Sequence, residues 1–111
     1  MDINEYQDLA WRTANKDLPY NSQLINAAFG LCGESGEFAD ILKKTHFQGH
    51  TPDVDRLIGE LGDVCWYIAL AAKVLDVKLE DVMKRNIDKL RARYPDGFDP
   101  EKSKSRIPGD V

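Results

Sequence analysis

The chain has 111 residues, of which 42% are hydrophobic and 31% charged, a composition typical of one folded domain that excludes a disordered chain. A net charge of −4 excludes binding to a nucleic-acid polymer by overall charge. The sequence shows no run of about 18 uncharged apolar residues and no signal-peptide pattern. Cys32 and Cys65 have no Cys-x-x-Cys spacing and are interpreted as small core residues. We therefore expect a reduced, cytoplasmic protein with no membrane partner.

Four helical segments follow one another along the chain. Asp2 and Glu5 form a capping box at the start of the first, and Thr51 before Pro52 predicts the start of the third. Short polar breaks that contain proline or glycine separate some of the segments. The predicted helices cover residues 3–15, 23–45, 52–75 and 79–94, and no segment shows the alternation of a strand.

These segments predict an all-α fold, in which residues 1–98 form a four-helix antiparallel bundle and residues 99–111 form a polar C-terminal tail. The second helix is apolar on two sides. Because so short a chain has little to cover both sides, we expect the bundle to assemble into a homo-oligomer. The two apolar stripes consist of Leu24, Leu31, Phe38 and Leu42 on one side and of Ile25, Ala28, Cys32 and Ala39 on the other.

Two pairs of acidic residues interrupt the most apolar helices. Glu34 and Glu37 lie three residues apart on the second helix, and Glu60 and Asp63 have the same spacing on the third. Residues three apart share a helix face, so each pair projects to one side, at the border of the apolar core. Carboxylates held close together either form a solvated charged face or converge on a hard cation such as Mg²⁺.

Glycines beside the acidic pairs favour the cation site. Each glycine costs a helix about 1 kcal/mol relative to alanine, and we expect this cost to serve a close backbone approach. The alternative of a di-iron carboxylate bundle requires Glu-x-x-His on two helices, whereas His46 and His50 fall in a predicted loop. Oxygen-only ligands favour Mg²⁺ or Mn²⁺ over iron or zinc. The glycines in question are Gly33, Gly36, Gly59 and Gly62.

A polar and basic stripe lies on the predicted fourth helix. Asn86, Lys89 and Arg93 fall within about 60° of one another at helical periodicity. They form either a solvated face or a set of donors for the oxygens of a polyphosphate that a metal leaves unneutralised. Lys43 and Lys44, near the end of the second helix, are further candidates, or are simply favourable charges at a helix C-terminus.

The two spaced acidic pairs, together with "GLCGESGEFADILKK", "ELGDVCWYIA" and "NIDKLRARYPDGF", resemble the MazG-like nucleoside triphosphate pyrophosphohydrolases of the all-α superfamily. The resemblance covers residues 4–98. It implies a hydrolase of nucleotide metabolism that cleaves nucleoside triphosphates to the monophosphate and pyrophosphate. It also implies Mg²⁺ as cofactor, with Mn²⁺ as a substitute, and a homodimer or dimer-based homotetramer.

The resemblance further implies roles for individual residues. A metal-activated water attacks the triphosphate chain in line, Glu34 orients or deprotonates that water, and Lys89 and Arg93 assist. Tyr67 lies toward the nucleoside. The implied metal ligands are Glu34, Glu37, Glu60 and Asp63, and the implied substrate-binding residues are Lys43, Tyr67, Asn86, Lys89 and Arg93.

Two other functions stay open from the sequence. A related enzyme of the same fold would share the acidic residues but act on a phosphoribosyl nucleotide. A non-catalytic helical oligomer that binds nucleotides or a partner protein would carry the acids as a solvated face, without metal dependence. No feature of the sequence marks a preferred base or sugar.

Overall fold

A computed structural model of the chain describes residues 1–106, which contain five α-helices and no β-strand. This confirms the predicted all-α class. None of the helices in this range is both long and apolar enough to cross a membrane. The chain divides into two compact units, Met1–Leu79 and Glu80–Val111. The helices are α1 (Ile3–Trp11), α2 (Tyr20–Phe47), α3 (Val54–Val74), α4 (Leu79–Arg93) and α5 (Pro100–Lys104).

The helix ends follow the capping chemistry in part. The Glu5 backbone N–H donates to the Asp2 carboxylate at 2.8 Å, which confirms the N-cap of α1. Asp53 rather than Thr51 caps α3, because its carboxylate accepts from the Arg56 backbone N–H at 3.0 Å. The prediction for Thr51 is therefore wrong. The first helix also ends earlier than expected, at Trp11, where the next backbone N–H groups bond three residues back instead of four.

The core of the first unit lies around α3, which packs against both α1 and α2. Ala69 and Leu70 are buried in the middle of α3, beside Ala10 from α1 and Ala27 from α2. Small residues at these crossings let the helix backbones come close together. Among the described residues, no large side chain is completely buried. The core of a single chain is therefore thin, which bears on its assembly.

The turn after α3 is held by hydrogen bonds. The Val77 backbone N–H donates to the Ala72 carbonyl at 2.9 Å, the bond that defines a Schellman motif. Asp76 occupies the left-handed position of this motif, at φ 58°. The Gln7 amide donates to the Val77 carbonyl and accepts from the Leu79 backbone N–H, both at 2.9 Å. A buried side chain of α1 thus fixes the turn that leads into α4.

The second unit contains most of α4 together with α5. Residues 80–92 of α4 are exposed in the single chain. Asp99 caps α5 through the Glu101 backbone N–H at 3.0 Å, so a short helix forms within the predicted polar tail. Residues 107–111 of that tail lie outside the described range. The antiparallel four-helix arrangement and the boundary at residue 98 stay predictions.

The two apolar stripes of α2 differ in burial. Leu24, Leu31 and Phe38 are half-buried, whereas Leu42 of the same stripe is exposed. Every member of the second stripe is exposed in the single chain. Both cysteines, Cys32 on that stripe and Cys65 on α3, are also exposed, so the expectation that they are core residues is wrong for the isolated chain.

Candidate metal and substrate site

The antiparallel helices α2 and α3 bring three carboxylates together. Each of Glu34, Glu37 and Glu60 offers an oxygen atom, and these atoms all lie within 4.8 Å of one another. The spacing of three residues places both α2 glutamates on the side of the helix that meets Glu60. Asp63, one turn further along α3, is exposed and lies outside this group. Three of the four expected ligands are therefore clustered in the structure.

Two oxygen atoms of this cluster are unusual because they are buried and have no hydrogen-bond partner. They are Oε2 of Glu34 and Oε2 of Glu60. A buried carboxylate oxygen without a donor is costly, and proteins usually satisfy such atoms with a hydrogen bond or a cation. These two oxygen atoms, which no group within residues 1–106 satisfies, are therefore available as ligand atoms.

The pKa values of the cluster reflect the crowding of its carboxyl groups. The pKa of Glu60 is raised, first because its protonated form donates a hydrogen bond to Glu34. The pKa of Glu37 is raised chiefly by a hydrogen bond to Glu60 and by the charge of that carboxylate. The Asp63 charge adds to both effects, and Arg56 opposes the shift of Glu37. Without a cation, this crowding favours the protonated forms of Glu37 and Glu60.

These residues fit a hard divalent cation. The donors are all carboxylate oxygens, two of them are buried and unsatisfied, and Mg²⁺ and Mn²⁺ prefer oxygen ligands. Neither histidine belongs to the cluster. His46 lies in the last turn of α2 and not in the predicted loop, whereas His50 follows that helix. The donor set does not suit a zinc or di-iron site.

The glycines of the chain play a different part from the one expected. A Cβ atom added at Gly33, Gly36, Gly59 or Gly62 would have no neighbour within 4 Å. The expectation that these four glycines serve a close backbone approach is therefore wrong within the single chain. The close approach occurs instead at Gly30, where an added Cβ would overlap the ring of Tyr67. Sequence reasoning missed Gly30, although it lies one turn before Glu34.

Tyr67 has a well-defined environment on α3. Its ring meets the Trp66 ring edge to face, with the centroids 4.9 Å apart and an angle of 86° between the planes. The Trp66 indole N–H donates to the Thr13 hydroxyl at 2.9 Å. Tyr67 also packs against the core cluster around Ala27 and Leu70, and it is half-buried.

The other expected substrate-binding residues have mixed surroundings. Asn86 and Lys89 are exposed on α4, and Arg93 at the end of this helix is half-buried. Lys43 lies 3.6 Å from the Asp40 carboxylate, which Lys44 contacts more closely, at 2.8 Å. The roles of these residues stay predictions.

Within residues 1–106 the fold is all-helical, and two of its helices bring together three carboxylates that could hold a metal ion. The model of the MazG nucleotide pyrophosphohydrolase domain matches residues 24–98. The chain is 43% identical over 78 residues to the Gene 37 protein of Mycobacterium phage L5. The aligned region covers 67% of this chain and 68% of the phage protein. No solved structure matches at a significant level. The chain belongs to the MazG family of nucleotide pyrophosphohydrolases.

Proposed function

We propose that the protein hydrolyses nucleoside or deoxynucleoside triphosphates to the monophosphate and pyrophosphate, with Mg²⁺ as cofactor. The convergence of Glu34, Glu37 and Glu60, with two unsatisfied buried oxygens, carries this proposal. Such a cluster costs stability unless it binds a cation, and the family acts on nucleotides. A role in removing unwanted nucleotides from the cellular pool agrees with this activity. Mn²⁺ serves as a substitute because it accepts the same ligands.

The carboxylates of Glu34, Glu37 and Glu60, together with Asp63, hold the cation. When bound, it neutralises charge on the phosphate chain and makes a bound water more acidic. Glu34 is the base that orients the attacking water and accepts its proton. The position of Glu34 in the cluster, with a buried oxygen atom that has no hydrogen-bond partner, supports this assignment.

Donors bind the rest of the substrate. Lys89 and Arg93, with Asn86 and Lys43, donate to phosphate oxygens and assist the charge that develops as the bond breaks. Tyr67 contacts the nucleoside. The chain has no glycine-rich loop of the Walker type that would cradle the phosphates and direct cleavage to the γ-phosphate. Release of pyrophosphate agrees with this absence.

Phosphorus NMR of a reaction with dUTP or dCTP tests the proposal. We expect pyrophosphate and the nucleoside monophosphate to appear in the presence of Mg²⁺ and to be absent with excess chelator. Glu37→Gln removes a ligand and should abolish turnover, whereas the matched change Asp17→Asn, in the loop after α1, should preserve it. Growth of orthophosphate and a nucleoside diphosphate without pyrophosphate would overturn the proposed reaction. Turnover of Glu37→Gln at the parental rate would overturn the proposed site.

The assembly belongs to the same proposal. We propose a homodimer or a tetramer built from dimers, which covers the second apolar stripe of α2. The thin core of the single chain and the exposure of every residue on that stripe support it. The cytoplasmic location expected from the sequence stays a prediction.

A further inference from the structure

Gly30 is the one described glycine at which an added side chain would meet an obstacle. A Cβ atom there would overlap Cδ1, Cε1 and Cζ of Tyr67, while optimal contacts between carbon atoms are about 3.5–4.0 Å. The tyrosine ring therefore lies directly on the backbone of α2. No proline or turn explains the glycine, because residue 30 is in the interior of the helix. Its absent side chain makes room for this ring.

The contact lies one turn from the carboxylate cluster on α2, and on α3 it lies one turn from Asp63 and two turns from Glu60. Gly30 precedes Glu34 by four residues on α2, and Tyr67 follows Asp63 by four residues on α3. Four residues correspond to about 6 Å along a helix. Because α2 and α3 are antiparallel, the ring lies at their crossing, one turn away from Glu34 on α2 and from Asp63 on α3. A phosphate chain at the carboxylates would leave the nucleoside within reach of this ring.

The surroundings of the ring leave it little room to adjust. Trp66 meets the tyrosine ring edge to face and is itself tied to Thr13 of the α1–α2 connection by a hydrogen bond of 2.9 Å. The ring also packs against the buried cluster that contains Ala27 and Leu70. A methyl group at residue 30 would occupy the space that the ring now fills, so the ring would have to leave its present position. The half-exposed part of the ring would then face elsewhere.

We propose that Gly30 is a positioning residue: it seats the Tyr67 ring against α2 one turn from Glu34, and this seat sets the affinity for the nucleoside part of the substrate. The affinity for the phosphate chain does not depend on it. The inference rests on the proposed function, since it concerns the nucleoside end of the same substrate. Gly30, which has no side chain, would thus contribute to the selectivity of the protein for nucleoside triphosphates over inorganic polyphosphate.

The test compares Gly30→Ala with Gly33→Ala, an alanine on the same helix with nothing within 4 Å of its Cβ. For Gly30→Ala we expect the KM for dUTP and dCTP to rise about tenfold, the size of a modest base-stacking contact, with kcat changed less than about twofold. The inhibition constant of inorganic tripolyphosphate should stay the same. Gly33→Ala should match the parent in every constant.

Two measurements keep the outcome clear. The first is a double variant: in a Tyr67→Leu background the ring is absent, so Gly30→Ala should cause no further rise in KM. This variant also has room for the added methyl group if Gly30→Ala alone fails to fold. The second is binding of dUMP without metal, followed by intrinsic fluorescence, in which Gly30→Ala should weaken binding about tenfold and Gly33→Ala should not.

Several results would overturn the inference. They are an unchanged KM and dUMP affinity in Gly30→Ala, an equal rise in the Tyr67→Leu background, or a parallel loss of tripolyphosphate affinity. A parental protein that releases no pyrophosphate would defeat the proposed function alone, since dUMP binding still tests the role of Gly30. A parental protein that binds no nucleotide at all would overturn both.

Discussion

Repulsion among Glu34, Glu37 and Glu60 determines the behaviour of the protein without metal. Each of these carboxyl groups has an oxygen atom within 4.8 Å of the other two, and this crowding raises the pKa values of Glu37 and Glu60. A folded-state pKa above the unfolded one means that ionisation destabilises the fold. Below the ordinary pKa of glutamate both groups are protonated, and their contribution to stability is fully present. This contribution is lost as the pH rises through the raised pKa values. A cation bound as proposed would offset this penalty.

Glu37→Gln should therefore stabilise the metal-free protein at neutral pH, because the amide cannot ionise. The gain in free energy of unfolding over the parent should be smallest at about pH 4 and grow as the pH rises through the raised pKa of Glu37. Urea denaturation in excess chelator, from about pH 4 to about pH 8, measures this difference. Asp17→Asn is the control and should show no comparable growth. A constant difference across the range would contradict the crowded cluster.

Asp76 offers a second prediction at the scale of one residue. It adopts φ 58°, a left-handed conformation that glycine takes at lower cost than any residue with a Cβ. Asp76→Gly should stabilise the protein by about 0.5–1 kcal/mol, which corresponds to a rise in Tm of a few degrees. Leu75→Gly is the matched control, because Leu75 has φ −78° and glycine there should cost about 1 kcal/mol instead. Equal effects at both positions would contradict this account of the turn.

At the scale of elements, Gln7 shows how α1 holds the start of α4. Its amide is buried and makes two hydrogen bonds, to the Val77 carbonyl and from the Leu79 N–H. Gln7→Leu preserves the approximate volume but leaves both backbone groups without this partner. The free energy of unfolding should fall by about 2–3 kcal/mol. Urea denaturation measures it, with Asp8→Asn as the exposed neighbour that should change little. A loss below about 0.5 kcal/mol would show that water replaces the side chain.

Sequence patterns predicted the helices better than their ends and their contacts. Periodicity located the four long helices, and Asp2 was recognised as a cap because its carboxylate acts locally. The cap of α3 was misassigned because Thr51 and Asp53 both suit the role, and only the backbone conformation selects Asp53. The short helix α5 was missed because five residues give almost no periodic signal.

The candidate site divides in a similar way. Glu34 and Glu37 were predicted to share a face because their spacing alone requires it, and the third glutamate joins them through the pairing of α2 with α3. The contact at Gly30 was not predicted, because a glycine within a helical sequence does not indicate which residue packs against it. Its partner, Tyr67, lies far away in the sequence, and only the packing of the two helices brings the ring to it.

Arg93 belongs to α4, the helix that carries the predicted phosphate-binding stripe. We expect Arg93→Ala to slow turnover without changing which bond breaks, because the residue assists a charge that the metal site already positions. A loss of about tenfold to a hundredfold in kcat/KM, with pyrophosphate still the product by phosphorus NMR, would agree. Arg91→Ala is the matched control, since Arg91 is on the same helix outside the stripe. Equal losses in both variants would indicate a general effect of positive charge.

At the scale of the whole molecule, the apolar surface of the chain exceeds what its own core uses. Phe29 is 74% exposed and Phe47 is 76% exposed on α2, while Ile58 on α3 is 60% exposed. The buried core consists of alanines and a few aliphatic residues, without a fully buried large side chain in the described range. Folded monomers rarely expose apolar patches of this kind. In a symmetric dimer, the exposed apolar surface of α2 would be buried on both subunits.

Phe29→Glu tests this assembly most directly. Phe29 lies one turn after Ile25, a member of the exposed stripe, and next to Ala28. A carboxylate there would be buried against a partner subunit, which costs several kcal/mol. The single chain should still fold, because the parental side chain contributes little to its core. Sedimentation at micromolar concentration should give a parental species of at least twice 12.6 kDa and a variant near 12.6 kDa. Asn15→Glu, in the loop after α1, adds the same charge off the stripe and should remain assembled. A parental protein that sediments only as a 12.6 kDa species would exclude the homo-oligomer.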